Sequence, residues 1–316
     1  MRFRQALTTA LLMGLIMATT LSVGFETARA QRAAAATAKD EVIFAVTRRS
    51  DADYAFEPIA VYRRGAFTGS ITGESSPAEL TRFGKGYYKA GQRYRLIWGG
   101  AEAGMVVARE SQQASDCAKA AATAEVQTSV QLGGNRMALA TNSSVPGLAK
   151  SSRRAPTDAE RAGVKELAEK IFREKGVPAD ALAGMQTINL TATDLNRDDA
   201  AELIATYLIR RGTTEIFFDQ VFLIAEPSGK NLKVGLARHR QIKGTDFSDP
   251  ESLESVGQSA FQTEILIDQL DVDRDGTGEV FTISYSFEGT NYAIYKKRGN
   301  TGWTRIQEFY NYRCAY

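Results

Sequence analysis

Asp271-Val272-Asp273-Arg274-Asp275-Gly276-Thr277-Gly278-Glu279 is an acidic loop that runs straight into the apolar stretch Val280 to Phe287. A matching stretch lies 77 residues earlier, as Asp194-Leu195-Asn196-Arg197-Asp198-Asp199-Ala200-Ala201-Glu202 before Leu203 to Ile209. The same offset aligns Gly212-Thr213-Thr214 with Gly289-Thr290-Asn291. A further strand pattern follows in each copy, at Ile216 to Ala225 and at Tyr292 to Lys296. Glycine turns come next, at Pro227 to Asn231 and Arg298 to Gly302, and third strands at Leu232 to Arg238 and Trp303 to Tyr310. Shared spacing over several features marks an internal repeat. Its unit is a strand, an acidic loop and a three-stranded meander.

The loop chemistry points to a hard cation. Oxygens at loop positions 1, 3 and 5 converge when the loop curls, and positions 7 and 9 can add a carbonyl and a carboxylate. Ca²⁺ takes six to eight such oxygens in flexible geometry. The second loop offers Asp271, Asp273, Asp275 and Glu279, with Gly276 at the tight turn. The first offers Asp194, Asn196, Asp198 and Glu202, with Asp199 where glycine is easiest. It has one charge fewer, so weaker binding is expected there. An EF-hand needs a bidentate Glu at position 12. Here those positions are Ala205 and Thr282, inside apolar strand patterns.

The loops resemble the calcium loops of integrin-type FG-GAP and VCBS β-propeller repeats, which read Asp-x-Asp/Asn-x-Asp-Gly-x-x-Asp before an apolar strand. The likeness covers Asp194 to Ile209 and Asp271 to Phe287, and position 9 departs from it as Glu202 and Glu279. It implies Ca²⁺ in a structural hairpin loop. Two units cannot close a propeller, which needs at least four blades.

Working outward, residues 157–185 read as a helical connector. Thr157 and Glu160 form a capping box, and Val164, Leu167, Ala168, Ile171 and Phe172 share one face. Gly176 and Pro178 stop the helix, and a short turn is expected at Ala179 to Met185. Residues 141–156 are a polar linker. Residues 41–140 form a β domain, with one hairpin across the Gly99–Gly104 loop and another across Gly133-Gly134-Asn135. The fold class is therefore mainly β (α+β): an N-terminal β domain, one amphipathic helix and a two-repeat β domain over residues 186–316.

Residues 1–30 read as a secretory signal peptide, with Arg2 and Arg4, an apolar run from Ala6 to Phe25, and Ala28-Arg29-Ala30 for cleavage. Residues 31–40 are a leader. No other segment is apolar enough for a membrane span. The chain carries 39 Lys+Arg and 37 Asp+Glu. Removing the signal peptide takes Arg2, Arg4, Arg29 and Glu26, and the two signs then balance. A neutral chain has no bulk attraction for nucleic acid. Cys117 and Cys314 are the only cysteines, and in an exported chain a pair reads as a disulfide; two unrelated buried thiols are the alternative.

Catalytic patterns are sparse. The single histidine, His239, reads as a surface strand residue, and Gly257-Gln258-Ser259-Ala260-Phe261 lacks the closing glycine of a nucleophile elbow. The basic doublets, among them Arg153-Arg154, Arg210-Arg211 and Lys296-Lys297-Arg298, read as solvated edges. Together these readings describe a secreted or periplasmic non-enzymatic protein that binds a protein or glycan ligand, with Ca²⁺ stiffening its loops. The alternative is an exported hydrolase with structural Ca²⁺ and carboxylate acid and base residues.

Overall fold

The computed structural model describes residues 40–49, 53–113, 118–144, 147–212, 216–243, 263–286, 289–299 and 302–312. Residues 1–39, Cys117, Cys314 and the Gly257–Phe261 pattern lie outside them. Among the described residues no helix is long and apolar enough to cross a membrane.

The first half holds β1 (Glu41–Arg48), β2 (Tyr54–Arg63), β3 (Ala66–Thr68), α1 (Pro77–Tyr87), β4 (Arg93–Trp98), β5 (Ala101–Gln113), β6 (Ala122–Thr128) and β7 (Ala138–Thr141). The sheet order is β1-β7-β4-β5-β6-β2-β3, and β1 also pairs with β2. Six strands thus close into a barrel, which removes its open edges, and β3 hangs on β2. Val42, Phe44 and Val46 alternate inward from β1 and meet Phe56, Tyr94, Leu96 and Trp98. The Phe44 and Tyr94 rings lie 4.9 Å apart, at their centroids, and Phe56 and Tyr88 lie 5.0 Å apart.

Two sequence expectations are corrected here. The chain has a second helix, α1, with its own capping box: Ser76 accepts from the Glu79 amide, Glu79 accepts from the Ser76 amide, and Pro77 opens the first turn. Gly84 and Gly86 weaken its helical pattern, and the barrel holds it through Phe83, Tyr87 and Tyr88. The second correction concerns β6 and β7, which do not form a hairpin across Gly133 and Gly134. β7 crosses over to lie between β1 and β4. All four of its residues are buried, so it needs a neighbour on each side. The Gly99 loop does make its hairpin, with Trp98 opposite Ala101. Gly99 and Gly100 have φ of 59° and 72°, the left-handed pair that a two-residue hairpin turn requires.

The second half holds α2 (Asp158–Glu174), a 3₁₀ turn (Ala181–Gly184) and two antiparallel sheets. One contains β8 (Gln186–Thr193), β9 (Glu202–Arg211), β10 (Phe217–Ser228) and β11 (Asn231–Lys243). The other contains β12 (Glu264–Leu270), β13 (Glu279–Ser286), β14 (Gly289–Lys297) and β15 (Trp303–Tyr312). Each runs in chain order, so the two units are four-stranded meanders, and the chain is not a propeller. The repeat is tight for β8–loop–β9 against β12–loop–β13. Beyond it the copies diverge: Leu203 faces Ala225, whereas Val280 faces Tyr295, so the β9–β10 hairpin is the longer. Gly289 lies within β14 opposite Ser286, and Gly212 follows β9, so those two glycines do not correspond.

Packing explains the apolar runs. α2 covers one face of the first sheet through Val164, Ala168, Ile171 and Phe172, which meet Leu203, Ala205 and Tyr207. The opposite face presents Ile204, Phe222 and Ile224 to Leu266, Val280 and Tyr295 of the second sheet. The far face of that sheet meets the outside of the barrel, where Ile265, Ile267, Phe281 and Ile283 pack on Ile43, Ile97 and Leu139. The layers are helix, sheet, sheet and barrel. Both sheets are buried on two sides, so β9 from Glu202 to Ile209 and the whole of β12 are buried without alternation.

Candidate metal centre

The two acidic loops connect β8 to β9 and β12 to β13, and they fold alike. In each, the amide of position 2 donates to the carboxylate at position 9: Leu195 to Glu202 Oε2 and Val272 to Glu279 Oε2, both at 2.8 Å. Position 1 accepts from amides across the turn. Asp194 takes those of Asn196, Arg197 and Asp199, and Asp271 takes those of Asp275 and Gly276. Position 5 accepts the position 7 amide at 2.9 Å in both copies, Ala200 to Asp198 and Thr277 to Asp275. Positions 4 and 6 are left-handed in both: Arg197 and Asp199 (φ 63° each), and Arg274 and Gly276 (φ 66° and 94°).

The loops differ in their side-chain oxygens. Asp271, Asp273 and Asp275 bring one carboxylate oxygen each within 4.8 Å of one another, and this group can hold a metal ion. Asp273 Oδ1 is buried and has no hydrogen-bond partner. The donors are all hard oxygens, the set that suits Mg²⁺, Ca²⁺ or Mn²⁺ over softer metals. In the first loop, Asn196 donates its side-chain amide to Asp198 Oδ2 at 3.0 Å. Among the described residues no group of three acids gathers there.

A cationic side chain enters the second loop. Lys296, from β14, contacts Asp273 Oδ2, and its Nζ is 2.8 Å from Asp275 and 3.3 Å from Glu279. Burial pulls the Lys296 pKa down, but hydrogen bonds to Asp273 and Asp275 outweigh it and the pKa is raised. Burial also raises Glu279, to about 8, against the pull of the Val272 amide and Lys296. Glu202 is pushed up to about 7, again chiefly by burial. Burial opposes the ionised Asp275, yet Lys296 and the Thr277 amide lower its pKa.

The loops also touch each other and the barrel. Arg197 donates to Asp271 Oδ2 at 2.8 Å, and the Gly278 amide donates to the Leu195 carbonyl at 2.7 Å. The Gly99 amide donates to both oxygens of Asp268, each at 2.9 Å. Residues 147–155 form a strap across this junction. Ser152 Oγ meets Thr193 Oγ1 at 2.8 Å, and the Arg154 amide donates to the Ala192 carbonyl at 2.9 Å. Arg153 is buried, donates to the Ile267 carbonyl at 2.8 Å, lies 3.5 Å from Asp268, and covers the Trp98 ring at 4.0 Å. Burial raises Asp268 to about 6 and lowers Arg153, although each favours the other's charge.

The reading of the basic doublets as solvated edges is corrected by Arg153 and Lys296, and also by Arg211, whose Nε reaches the buried Asp219 at 2.5 Å. His239 is no free surface residue either. Its Nε2 is 3.0 Å from Asp219 Oδ1, and it lies edge-on to Phe172 under α2. A fully buried carboxylate requires donors, and Gln241 supplies another at 3.0 Å. Strand alternation held the signal: Arg211, Asp219, His239 and Gln241 fall on the helix-facing side of their strands.

No protein-family model matches the chain, no curated protein matches it, and no solved structure matches it.

Proposed function

We propose that the loop from Asp271 to Glu279 binds Ca²⁺, and that the protein is an exported, non-catalytic binding or surface-interaction protein whose loop junction the cation stiffens. The observation that carries the metal reading is the convergence of Asp271, Asp273 and Asp275 oxygens within 4.8 Å. The unpartnered Asp273 Oδ1 supports it, since a buried acceptor with no donor is costly. Asp271, Asp273, Asp275 and Glu279 would hold the ion, and all are hard oxygen donors suited to Ca²⁺. The likeness of the loop to FG-GAP and VCBS calcium loops supports the same cation. Extracellular Ca²⁺ sites bind at about 10⁻⁴–10⁻³ M, a range that serves structural stabilisation.

The test is thermal unfolding in EDTA and then with added Ca²⁺. The midpoint rises with Ca²⁺ in the wild type, and most of that rise is absent in Asp273→Ala. A wild-type midpoint indifferent to Ca²⁺ removes the metal reading. Binding to glycan and protein arrays, with and without Ca²⁺, then tests the interaction role.

A further inference from the structure

The two loops are a natural pair for comparison, because they share backbone turns, amide contacts and hairpin position. They differ in what the neighbouring strand delivers. Val280 faces Tyr295, so Glu279 comes beside Lys296. Leu203 faces Ala225, so Glu202 comes beside Glu226. Glu226 is an acid and is held elsewhere, by Trp303 Nε1 at 2.9 Å, Lys297 at 2.8 Å and Lys233 at 3.2 Å. The first loop therefore closes with no lysine at that register, and its turn does not require one.

We infer that Lys296 is a tethered competitor for the cation of the second loop, and that it sets the concentration at which a divalent ion enters. This rests on the metal reading above. The ammonium engages three of the four acids that would ligate the ion, Asp273, Asp275 and Glu279. Two positive charges cannot share so small a group of carboxylates without strong repulsion. Entry of the ion therefore requires the lysine to leave. Lys296 is 18% exposed, which gives it a route to solvent. At low divalent concentration the ammonium neutralises the acids and keeps the loop closed. At high concentration the ion displaces it.

The experiment is calorimetric titration of Ca²⁺ into the full chain as wild type, Lys296→Gln and Lys296→Arg. Lys296→Gln is expected to bind about tenfold more tightly than wild type. Lys296→Arg keeps the charge and is expected to bind no more tightly than wild type. Without metal, Lys296→Gln should unfold at a lower temperature. If it is unfolded in EDTA, folding on addition of about 10 mM Ca²⁺ supports the competitor, and failure to fold overturns it. Equal affinity of wild type and Lys296→Gln, or equal tightening by Lys296→Arg, overturns the competitor and leaves the metal reading standing. If Ca²⁺ binds neither wild type nor folded Lys296→Gln, the metal reading itself falls.

Discussion

Arg197 in the first acidic loop donates to Asp271 Oδ2 in the second at 2.8 Å, joining the fourth position of one repeat to the first position of the other. Asp271 is nearly buried while Arg197 is 44% exposed. Solvent screens such a pair, so its coupling is expected near about 1 kcal/mol. A double-mutant cycle of Arg197→Met and Asp271→Asn, measured by urea unfolding in EDTA, checks this. Strict additivity would mean that this ion pair adds nothing to the contact between the loops.

Arg153 and Asp268 form the buried counterpart. Removing one member leaves an uncompensated charge, so Arg153→Met alone should cost about 3–5 kcal/mol. Arg153→Met with Asp268→Asn should cost clearly less than the sum of the single changes. Chemical denaturation of the four proteins reads the difference.

The protein should lose stability as pH rises from about 5 to about 8. Burial raises Asp268 from 3.8 to about 6, Glu202 from 4.5 to about 7, and Glu279 from 4.5 to about 8. In this window the folded chain keeps protons that the unfolded chain has released. Each titrating group then lowers stability by up to about 1.4 kcal/mol per pH unit. Urea midpoints across the range in EDTA should fall, and Glu202→Gln should flatten the slope below about pH 7, leaving the fall from about 7 to 8 to Glu279. Stability that climbed with pH over this range would contradict the assignment.

Asp199 holds a left-handed conformation at the position where the second copy has Gly276. Asp199→Gly should therefore stabilise the metal-free protein by up to about 1 kcal/mol, and Gly276→Ala should cost about 1–2 kcal/mol. Paired thermal melts test both changes, and a loss of stability in Asp199→Gly would contradict the strain argument.

The acidic loops and their hairpins were legible because acids recur at fixed spacing from Asp194 and from Asp271, with a turn glycine, Gly276, in the second copy. The Thr157 helix was legible from its cap and its apolar face. α1 was not, because Gly84 and Gly86 interrupt its pattern, although Ser76-Pro77-Ala78-Glu79 carries a capping signal. The place of β7 was hidden, since a short, wholly buried strand has no alternation to show which neighbours it takes. Lys296 was overlooked because a lysine in a basic doublet reads as solvated. Its role depends on which residue it faces across the β13–β14 hairpin, and composition does not carry that register.

One cluster of side chains crosses the boundary that the chain's order suggests. Ile43, Ile97 and Leu139 precede the strap, Ile265, Phe281 and Ile283 follow it, and all belong to one apolar contact. Separated from the barrel, the last sheet would present that face to water, an invitation to aggregate. Expressing either half alone should therefore yield insoluble material. Heating the whole chain should melt both halves together, in a single cooperative event.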